Sequence, residues 1–167
     1  VVLSNNANNY VIADAIKFEL ENTAPAPVYP FPIADNVDAD YVGGWRVAGG
    51  NAGQYGRDVY YIAKGTGEVT ATWTLAVPEA GNYDVYARWT AHSNRATNAP
   101  YTINYEGGSE TVHKSQQIKG SLWNLLGTYY FGIGDYSVVV SNNVDGYVIA
   151  DAIRFEHVDD APHPIYP

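Results

Sequence analysis

A carboxylate in the middle of an apolar strand is the first feature of this sequence that points to chemistry. Asp151 lies in the run Tyr147–Phe155, where it shares the bulky apolar face of a period-two pattern with Ile149 and Ile153. An unpaired buried carboxylate is costly, so Asp151 needs a cation or several backbone N–H donors. Arg95 is the candidate partner. A structural buried ion pair, a bulge that turns Asp151 outward and a ligand site remain open as alternatives.

Three further carboxylates stand close together near the start of the central segment. Asp35, Asp38 and Asp40 lie within six residues, and hard oxygen ligands at such a spacing can hold Ca²⁺. The full twelve-residue acidic loop with its terminal Glu is absent from this segment. The pattern therefore favours a solvated acidic turn, with calcium as a weak alternative and no other metal expected.

Aromatic and amide side chains form a third set of candidates, for contact with a glycan or with another subunit. The chain has Tyr–Tyr pairs at 60–61 and 129–130, and neighbouring strand residues point to opposite faces of a sheet. Tyr60 and Tyr129 are the candidates from these pairs. Trp45, beside two glycines, is the tryptophan expected to be exposed, and Asn94 and Asn98 belong to a polar loop. An outward ring can stack on a sugar or a protein partner, although tyrosine is also an ordinary strand residue.

Catalytic motifs are missing from the sequence. The four histidines show no metal-ligand spacing, and neither a Gly-x-Ser-x-Gly elbow nor a His-Glu-x-x-His motif occurs. Acidic pairs could be chosen freely from 18 Asp and Glu residues, so such a choice carries no weight. We expect a protein that is not an enzyme and needs no cofactor.

Composition excludes several other classes of function. The 167-residue chain has a formal net charge of −9, which argues against nucleic acid or an anionic membrane surface as a partner. No apolar stretch approaches membrane-spanning length, so we expect no membrane insertion. Tyr is abundant at 15 copies and strong helix formers are sparse, which is typical of an extracellular or cell-surface all-β protein.

The beginning of the chain repeats at its end. Val1-Val2-Leu3-Ser4-Asn5-Asn6 returns as Val138-Val139-Val140-Ser141-Asn142-Asn143, 137 positions later, and the run from Tyr10 returns from Tyr147. One sandwich has room for one such strand, and the second copy follows the central segment directly. We therefore expect the first copy to dock in a neighbouring or preceding repeat, where burial of its apolar side chains would contribute roughly 6–12 kcal/mol. The residues of this inter-repeat strand are Tyr10, Ile12, Asp14, Ile16 and Phe18.

Proline-rich stretches divide the chain. Residues 21–32 and 158–167 predict semi-rigid linkers in an extended polyproline conformation. The predicted organisation is a strand that completes a neighbour at 1–20, a linker at 21–32, a domain at 33–157 and a second linker at 158–167.

The central segment consists of short alternating runs separated by turn residues, which predicts an all-β fold, an antiparallel β-sandwich of the jelly-roll type. The extra N-terminal strand and the two proline-rich linkers are additions to this predicted sandwich. The predicted strands are Arg57–Ile62, Glu68–Leu75, Asn82–Trp89, Tyr101–Tyr105, Ser109–His113, Leu122–Phe131, Tyr136–Ser141 and Tyr147–Phe155.

Five ordered motifs resemble one family. They are Glu68-Val-Thr-Ala-Thr-Trp-Thr74, Ala80-Gly-Asn-Tyr-Asp-Val-Tyr-Ala-Arg-Trp89, the segment Ser93–Ile103, Trp123-Asn-Leu-Leu-Gly127 and the segment Asp145–Phe155. Over Ile33 to Glu156 the chain is similar to the golvesin C-terminal and xanthan-lyase-type domain. The resemblance implies a β-sandwich appended to secreted bacterial proteins, to which carbohydrate binding is often attributed. It implies no particular binding residues.

Two functions follow as hypotheses. The first is a non-enzymatic structural repeat of an extracellular filament or cell-surface array, assembled head to tail by docking the N-terminal strand into an adjacent sandwich of its own kind. The alternative is a carbohydrate-binding module of a secreted polysaccharide-active protein, whose partner is a polysaccharide.

Overall fold

Twelve strands and one short 3-10 helix make up the part of the chain that the computed structural model describes, residues 32–50 and 52–158. The helix, Asn36–Asp38, lies between the first two strands. The strands are β1 (Ile33–Ala34), β2 (Asp40–Val42), β3 (Arg46–Gly49), β4 (Asp58–Ile62), β5 (Thr70–Val77), β6 (Gly81–Arg88), β7 (Ala99–Tyr105), β8 (Gly108–Lys114), β9 (Asn124–Phe131), β10 (Gly134–Ser141), β11 (Val148–Ala150) and β12 (Ala152–His157).

The strands form three antiparallel sheets. Their orders are β1-β12-β6-β9, β2-β5-β10-β7-β8 and β11-β4-β3. The predicted all-β fold, an antiparallel β-sandwich, is confirmed. The predicted N-terminal strand and most of both linkers lie outside the described residues.

One apolar core is shared by the inner faces of these sheets. In β5 every second residue is buried, which is the pattern of a strand with one face in the core and the other exposed to solvent. Trp73 of β5, Phe131 of β9 and Phe155 of β12 are each no more than 1% exposed. Side chains of this size contribute about 1.5–3 kcal/mol each when removed from water.

The second copy of the repeated segment completes this sandwich. β11 pairs with β4, and β12 lies between β1 and β6. Asp151 is the break between the two strands, where the chain passes from the three-stranded to the four-stranded sheet. Ile149, Ile153 and Phe155 are fully buried, so this segment is an integral part of the domain core.

A β-bulge in β9 changes which residues face the core. The pairing of β6 with β9 shifts between Val85 and Tyr86. Before the shift Leu126 is buried, and after it Tyr129 and Phe131 are buried, so the inward phase changes by one residue. Because of this shift, the side chains at the start of β9 alternate between core and solvent in a different phase from those at its end.

Candidate functional site

An open groove of about 460 Å³ lies along the connection between β8 and β9. We call it the β8–β9 groove. Two tryptophans line it, Trp89 just after β6 and Trp123 just before β9. Its other lining residues include Ile118 and Leu122, each 58% exposed, and Leu125, 45% exposed. Trp89 is only 1% exposed, so the groove combines the half-buried Trp123 indole with apolar side chains that are open to solvent, the usual composition of a ligand site.

A buried glutamine anchors one end of the connection. The Gln116 side-chain amide donates to Tyr101 Oη and to Ile149 O, both at 2.8 Å, and its carbonyl accepts from Ile149 N at 2.8 Å. The Gln116 backbone N–H also donates to Ala96 O at 2.8 Å. Because the residue is fully buried and its side chain is hydrogen-bonded at both ends, the loop is tied to the core.

The rest of the connection is held by hydrogen bonds that frame the groove. Trp89 Nε1 donates to Ile118 O at 2.9 Å, and Ser121 N donates to Trp89 O at 2.9 Å. Asn124 Nδ2 donates to the carbonyls of Lys119, at 3.1 Å, and Leu122, at 2.9 Å. Lys119 and Ser121 have φ values of 53° and 67°, a region that side-chain-bearing residues seldom adopt. Backbone strain of this kind persists where the surroundings enforce it, often at binding sites.

Trp123 packs in a cluster of aromatic and cationic side chains on the outer side of the four-stranded sheet. The guanidinium of Arg154 lies 4.9 Å from the Trp123 ring centroid and that of Arg88 lies 6.0 Å away. The ring of Tyr55 is 5.6 Å away and tilted. Arg88 is itself fixed by donating to Gly53 O at 3.0 Å. These contacts hold the half-buried indole in one orientation while part of it lines the groove.

Asp151 lies beneath this cluster and has a different partner from the one predicted. Its side chain is 1% exposed, Oδ1 accepts from Tyr55 N at 2.9 Å, and Oδ2 has no partner among the described residues. Burial raises the pKa of Asp151 to about 7, against the lowering effect of the Tyr55 N–H and the Arg88 charge. The predicted Asp151–Arg95 pair is not formed. Arg95 Nη1 donates instead to Asn94 Oδ1 at 2.9 Å, and burial lowers the pKa of Arg95.

The predicted loop residue Asn94 lines a second, smaller groove of about 310 Å³, and Asn98 is hydrogen-bonded to Asp145, another of its lining residues. Asn98 Oδ1 accepts from Asp145 N at 3.2 Å, and Tyr147 N donates to Asn94 O at 3.0 Å. Tyr147 is 39% exposed and lines this groove together with Lys64. We call it the Tyr147 groove. The structure thus gathers Asn94, Asn98 and Arg95 at one loop cluster, apart from Asp151.

The three predicted aromatic contacts differ in exposure. Tyr129 is only 8% exposed and stacks on Tyr105 at 5.0 Å, whereas Tyr130 is 52% exposed. Tyr129 is therefore a core residue, and the prediction that it contacts a ligand or subunit is wrong. Tyr60 is half-buried and stacked at 4.4 Å on a neighbouring tyrosine. Trp45 is half-buried too, with its indole N–H donating to a backbone carbonyl at 3.0 Å.

Two residues of the acidic triplet, Asp35 and Asp38, cap the short helix. Asp35 Oδ1 accepts from Asn36 N at 2.8 Å, and Asp38 Oδ2 accepts from Asp35 N at 2.9 Å. Asp40 is exposed on β2. Burial raises the pKa of Asp35. No group of three or more His, Cys, Asp or Glu in the described ranges has the geometry of a metal site. The structure thus gives Asp35 and Asp38 a capping role.

Sequence reasoning missed the residues of the β8–β9 groove. Trp123, Lys114 and Lys119 were not among the predicted site residues. A usable signal was present: Ile118 is a large apolar residue outside every predicted strand, and its side chain is 58% exposed. The inter-repeat strand residues Tyr10, Ile12, Asp14, Ile16 and Phe18 lie outside the described residues.

Comparison with known proteins identifies the family. Residues 32–157 match the golvesin C-terminal domain, and the chain belongs to this family. Xanthan lyase from Bacillus sp. (strain GL1) is 34% identical over 138 residues, which cover 77% of this chain and 15% of that protein. The structure of Paenibacillus xanthan lyase aligns with a TM-score of 0.73 and 37% identity, covering 77% of this chain and 13% of that one. The chain thus spans only a small part of either lyase.

A more distant likeness concerns the fold. The Podospora anserina GH26-CBM35 β-(1,4)-mannanase aligns with a TM-score of 0.59 and 20% identity, over 82% of this chain and 30% of that one. The predicted resemblance to the golvesin and xanthan-lyase-type domain is confirmed. No helix within residues 32–50 and 52–158 is both long and apolar enough to cross a membrane.

Proposed function

We propose that this domain is a non-catalytic carbohydrate-binding module of an extracellular polysaccharide-active protein. The observation that carries the proposal is the β8–β9 groove, in which a fixed indole and solvent-open apolar side chains lie beside polar groups. Family membership supports it, because a relative is named for the polysaccharide xanthan.

The groove suits a sugar ring for two physical reasons. A pyranose has an apolar C–H face that stacks on an indole, and Trp123 is already held in place by Arg154 and Tyr55. The loop is tied down by Gln116 and Trp89, so little conformational entropy is lost on binding.

Native affinity electrophoresis in gels that contain xanthan or β-1,4-mannan tests the proposal. The domain should be retarded by at least one polysaccharide, and Trp123→Ala should weaken binding by about tenfold or more, the effect of losing a contact worth about 1.4 kcal/mol. Tyr130→Ala is the matched control, since Tyr130 is a 52% exposed aromatic residue on β9, the strand that follows Trp123, and does not line the groove. Trp123→Tyr keeps a ring and should retain much of the binding.

One outcome would contradict this function, and a second would contradict the assignment of the β8–β9 groove as its site. If no polysaccharide retards the domain, the proposal that it binds carbohydrate is refuted. Retardation that Trp123→Ala leaves unchanged, with the variant folded by circular dichroism, would place the glycan elsewhere.

We infer as a second candidate that the chain belongs to an array of repeats. Residues 1–20 repeat residues 138–157, which contain the second half of β10 and all of β11 and β12, and the core residues of that copy are fully buried. Because β12 already lies between β1 and β6, an identical neighbour offers no vacant position for a donated strand. Docking therefore requires a sandwich of the same type that lacks its own last strand. This favours a covalent tandem arrangement over exchange between complete chains.

Deletion of residues 1–20 tests the array. If the segment serves another sandwich, the melting temperature of the remaining domain should be unchanged. Negative-stain images of native material should then show a regular axial repeat. A large loss of melting temperature on deletion would mean that the segment stabilises its own domain, and isolated particles would refute the filament.

A further inference from the structure

The β8–β9 groove concentrates positive charge in an acidic protein. Lys114 and Lys119, two of the four lysines in a chain of net charge −9, line it. None of its lining residues is Asp or Glu. Within residues 32–50 and 52–158, neither ammonium is paired with a carboxylate. Like charges kept together without a counter-charge are unfavourable, and an anionic ligand would relieve this.

The two lysines are placed by fixed backbone. Lys114 is the last residue of β8 and pairs in register with Ala99 of β7. Lys119 has its carbonyl held by Asn124 Nδ2 at 3.1 Å and its φ at 53°. The backbone therefore places one lysine at the start of the connection and the other within it, while their flexible side chains can reach a bound ligand.

The apolar part of the groove limits which anion fits. Ile118, Leu122 and Leu125 are solvent-open, so the ligand must offer apolar faces as well as negative charge. A duplex nucleic acid carries a charge about every 1.7 Å along its axis, and the net charge of −9 would oppose it. A polysaccharide with carboxylates on some of its sugars offers sparse charge and C–H faces together.

We propose that the β8–β9 groove binds a carboxylate-bearing polysaccharide, a polymer with uronic or other acidic sugars. A sugar face packs on Trp123, and the Lys114 and Lys119 ammonium groups contact sugar carboxylates. This inference rests on the carbohydrate-binding function proposed above and specifies the class of its ligand.

Carboxyl reduction separates the inference from the function on which it rests. Xanthan and polygalacturonate are each offered in native form and after reduction of their carboxylates to primary alcohols, and binding is measured by titration calorimetry. Native polymer should bind, reduced polymer should bind more weakly, and the affinity for native polymer should fall as NaCl rises from about 50 to about 500 mM.

Variants that remove a lysine charge test whether the groove lysines contact the carboxylates of the polymer. Lys114→Gln with Lys119→Gln should weaken binding of the native polymer by roughly 2- to 30-fold, as expected for two exposed charge contacts. The same variant should bind reduced polymer as the unaltered protein does. Lys64→Gln, which removes one charge in the Tyr147 groove, is the control and should leave affinity unchanged.

The remaining outcomes would each refute one part of the proposal: the acidic ligand, the binding of carbohydrate or the location of the site. Equal binding of native and reduced polymer would refute the acidic ligand and leave carbohydrate binding intact, whereas binding of neither would refute both. Loss with Lys64→Gln alone would move the site to the Tyr147 groove. Equally tight binding of polyglutamate would show attraction by charge alone and refute recognition of a sugar.

Discussion

Replacing Asp151 by asparagine should remove a pH-dependent loss of stability. The pKa of Asp151 is raised by burial to about 7 in the folded domain, compared with about 4 in an unfolded chain. Below about pH 4 the group is protonated in both states and contributes no penalty. Between about pH 4 and 7 only the unfolded state ionises, so folding is disfavoured by about 1.4 kcal/mol per pH unit, up to about 4 kcal/mol. Above about pH 7 the penalty remains constant.

The amide of the Asp151→Asn variant would keep an acceptor for Tyr55 N without this titration. We therefore expect the difference in unfolding free energy between Asp151→Asn and the unaltered protein to shift in favour of the variant, by up to about 4 kcal/mol as pH rises from about 4 to 7. Urea unfolding followed by tryptophan fluorescence measures it. Asp135→Asn, a change at an exposed carboxylate on β10, is the control and should give a small difference. A pH-independent difference at Asp151 would refute the reasoning.

Three further predictions concern the loops. Gln116→Ala should lower unfolding free energy by about 2–4 kcal/mol, because it leaves the Ile149 backbone groups without partners in the core, and urea titration will measure the loss. Gly120→Ala should weaken glycan binding in calorimetry, since a Cβ there would lie 2.5 Å from Ala91 N and the groove loop must shift; unchanged affinity would contradict the role of loop geometry. Asp145→Asn should show the opposite pH trend to Asp151→Asn, in urea titrations extended below about pH 4: hydrogen bonds from Thr97 lower the pKa of Asp145, so its stabilising contribution is present above its unfolded pKa of about 4 and is lost as pH falls.

Strands were predictable from the sequence where one face of the strand is buried and the other is exposed to solvent. The alternation in Glu68–Leu75 marked β5, because water covers one face and the core the other. Strands β1, β2 and β3 were not predicted. These strands are two to four residues long. Each places a single residue in or against the core: Ala34, Tyr41 and Ala48, respectively. Their sequences therefore lack the alternation of apolar and polar residues by which a strand is recognised.

The β-bulge explains the wrong choice between two adjacent tyrosines. Sequence alternation establishes that Tyr129 and Tyr130 point to opposite faces, but not which one points inward. The shift in pairing at Val85 and Tyr86 changes the phase within β9 and directs Tyr129 into the core. Register defects of this kind depend on the partner strand and leave little trace in one strand's own sequence.

The error at Asp151 has a similar origin. The position of Asp151 in an apolar strand correctly indicated a buried carboxylate with a perturbed environment. Its neighbours, however, are set by sheet register: Arg88 lies opposite Ala152 on the adjacent strand, and Tyr55 approaches from a distant loop. Arg95 belongs to the loop cluster of the Tyr147 groove. Charge complementarity in the sequence identifies possible partners, whereas register decides between them.

The last strand connects the two proposed functions. Arg154 of β12 lies 4.9 Å from the Trp123 ring and 4.6 Å from the Tyr86 ring, so the strand that completes the core also supports the indole of the groove. In the N-terminal copy the corresponding residue is Lys17. If residues 1–20 complete another sandwich, its groove is supported by a lysine, which lacks the planar guanidinium that stacks on aromatic rings. Two repeats in one array would then bind the same polymer with different affinities, and Arg154→Lys in this domain should reproduce the weaker one.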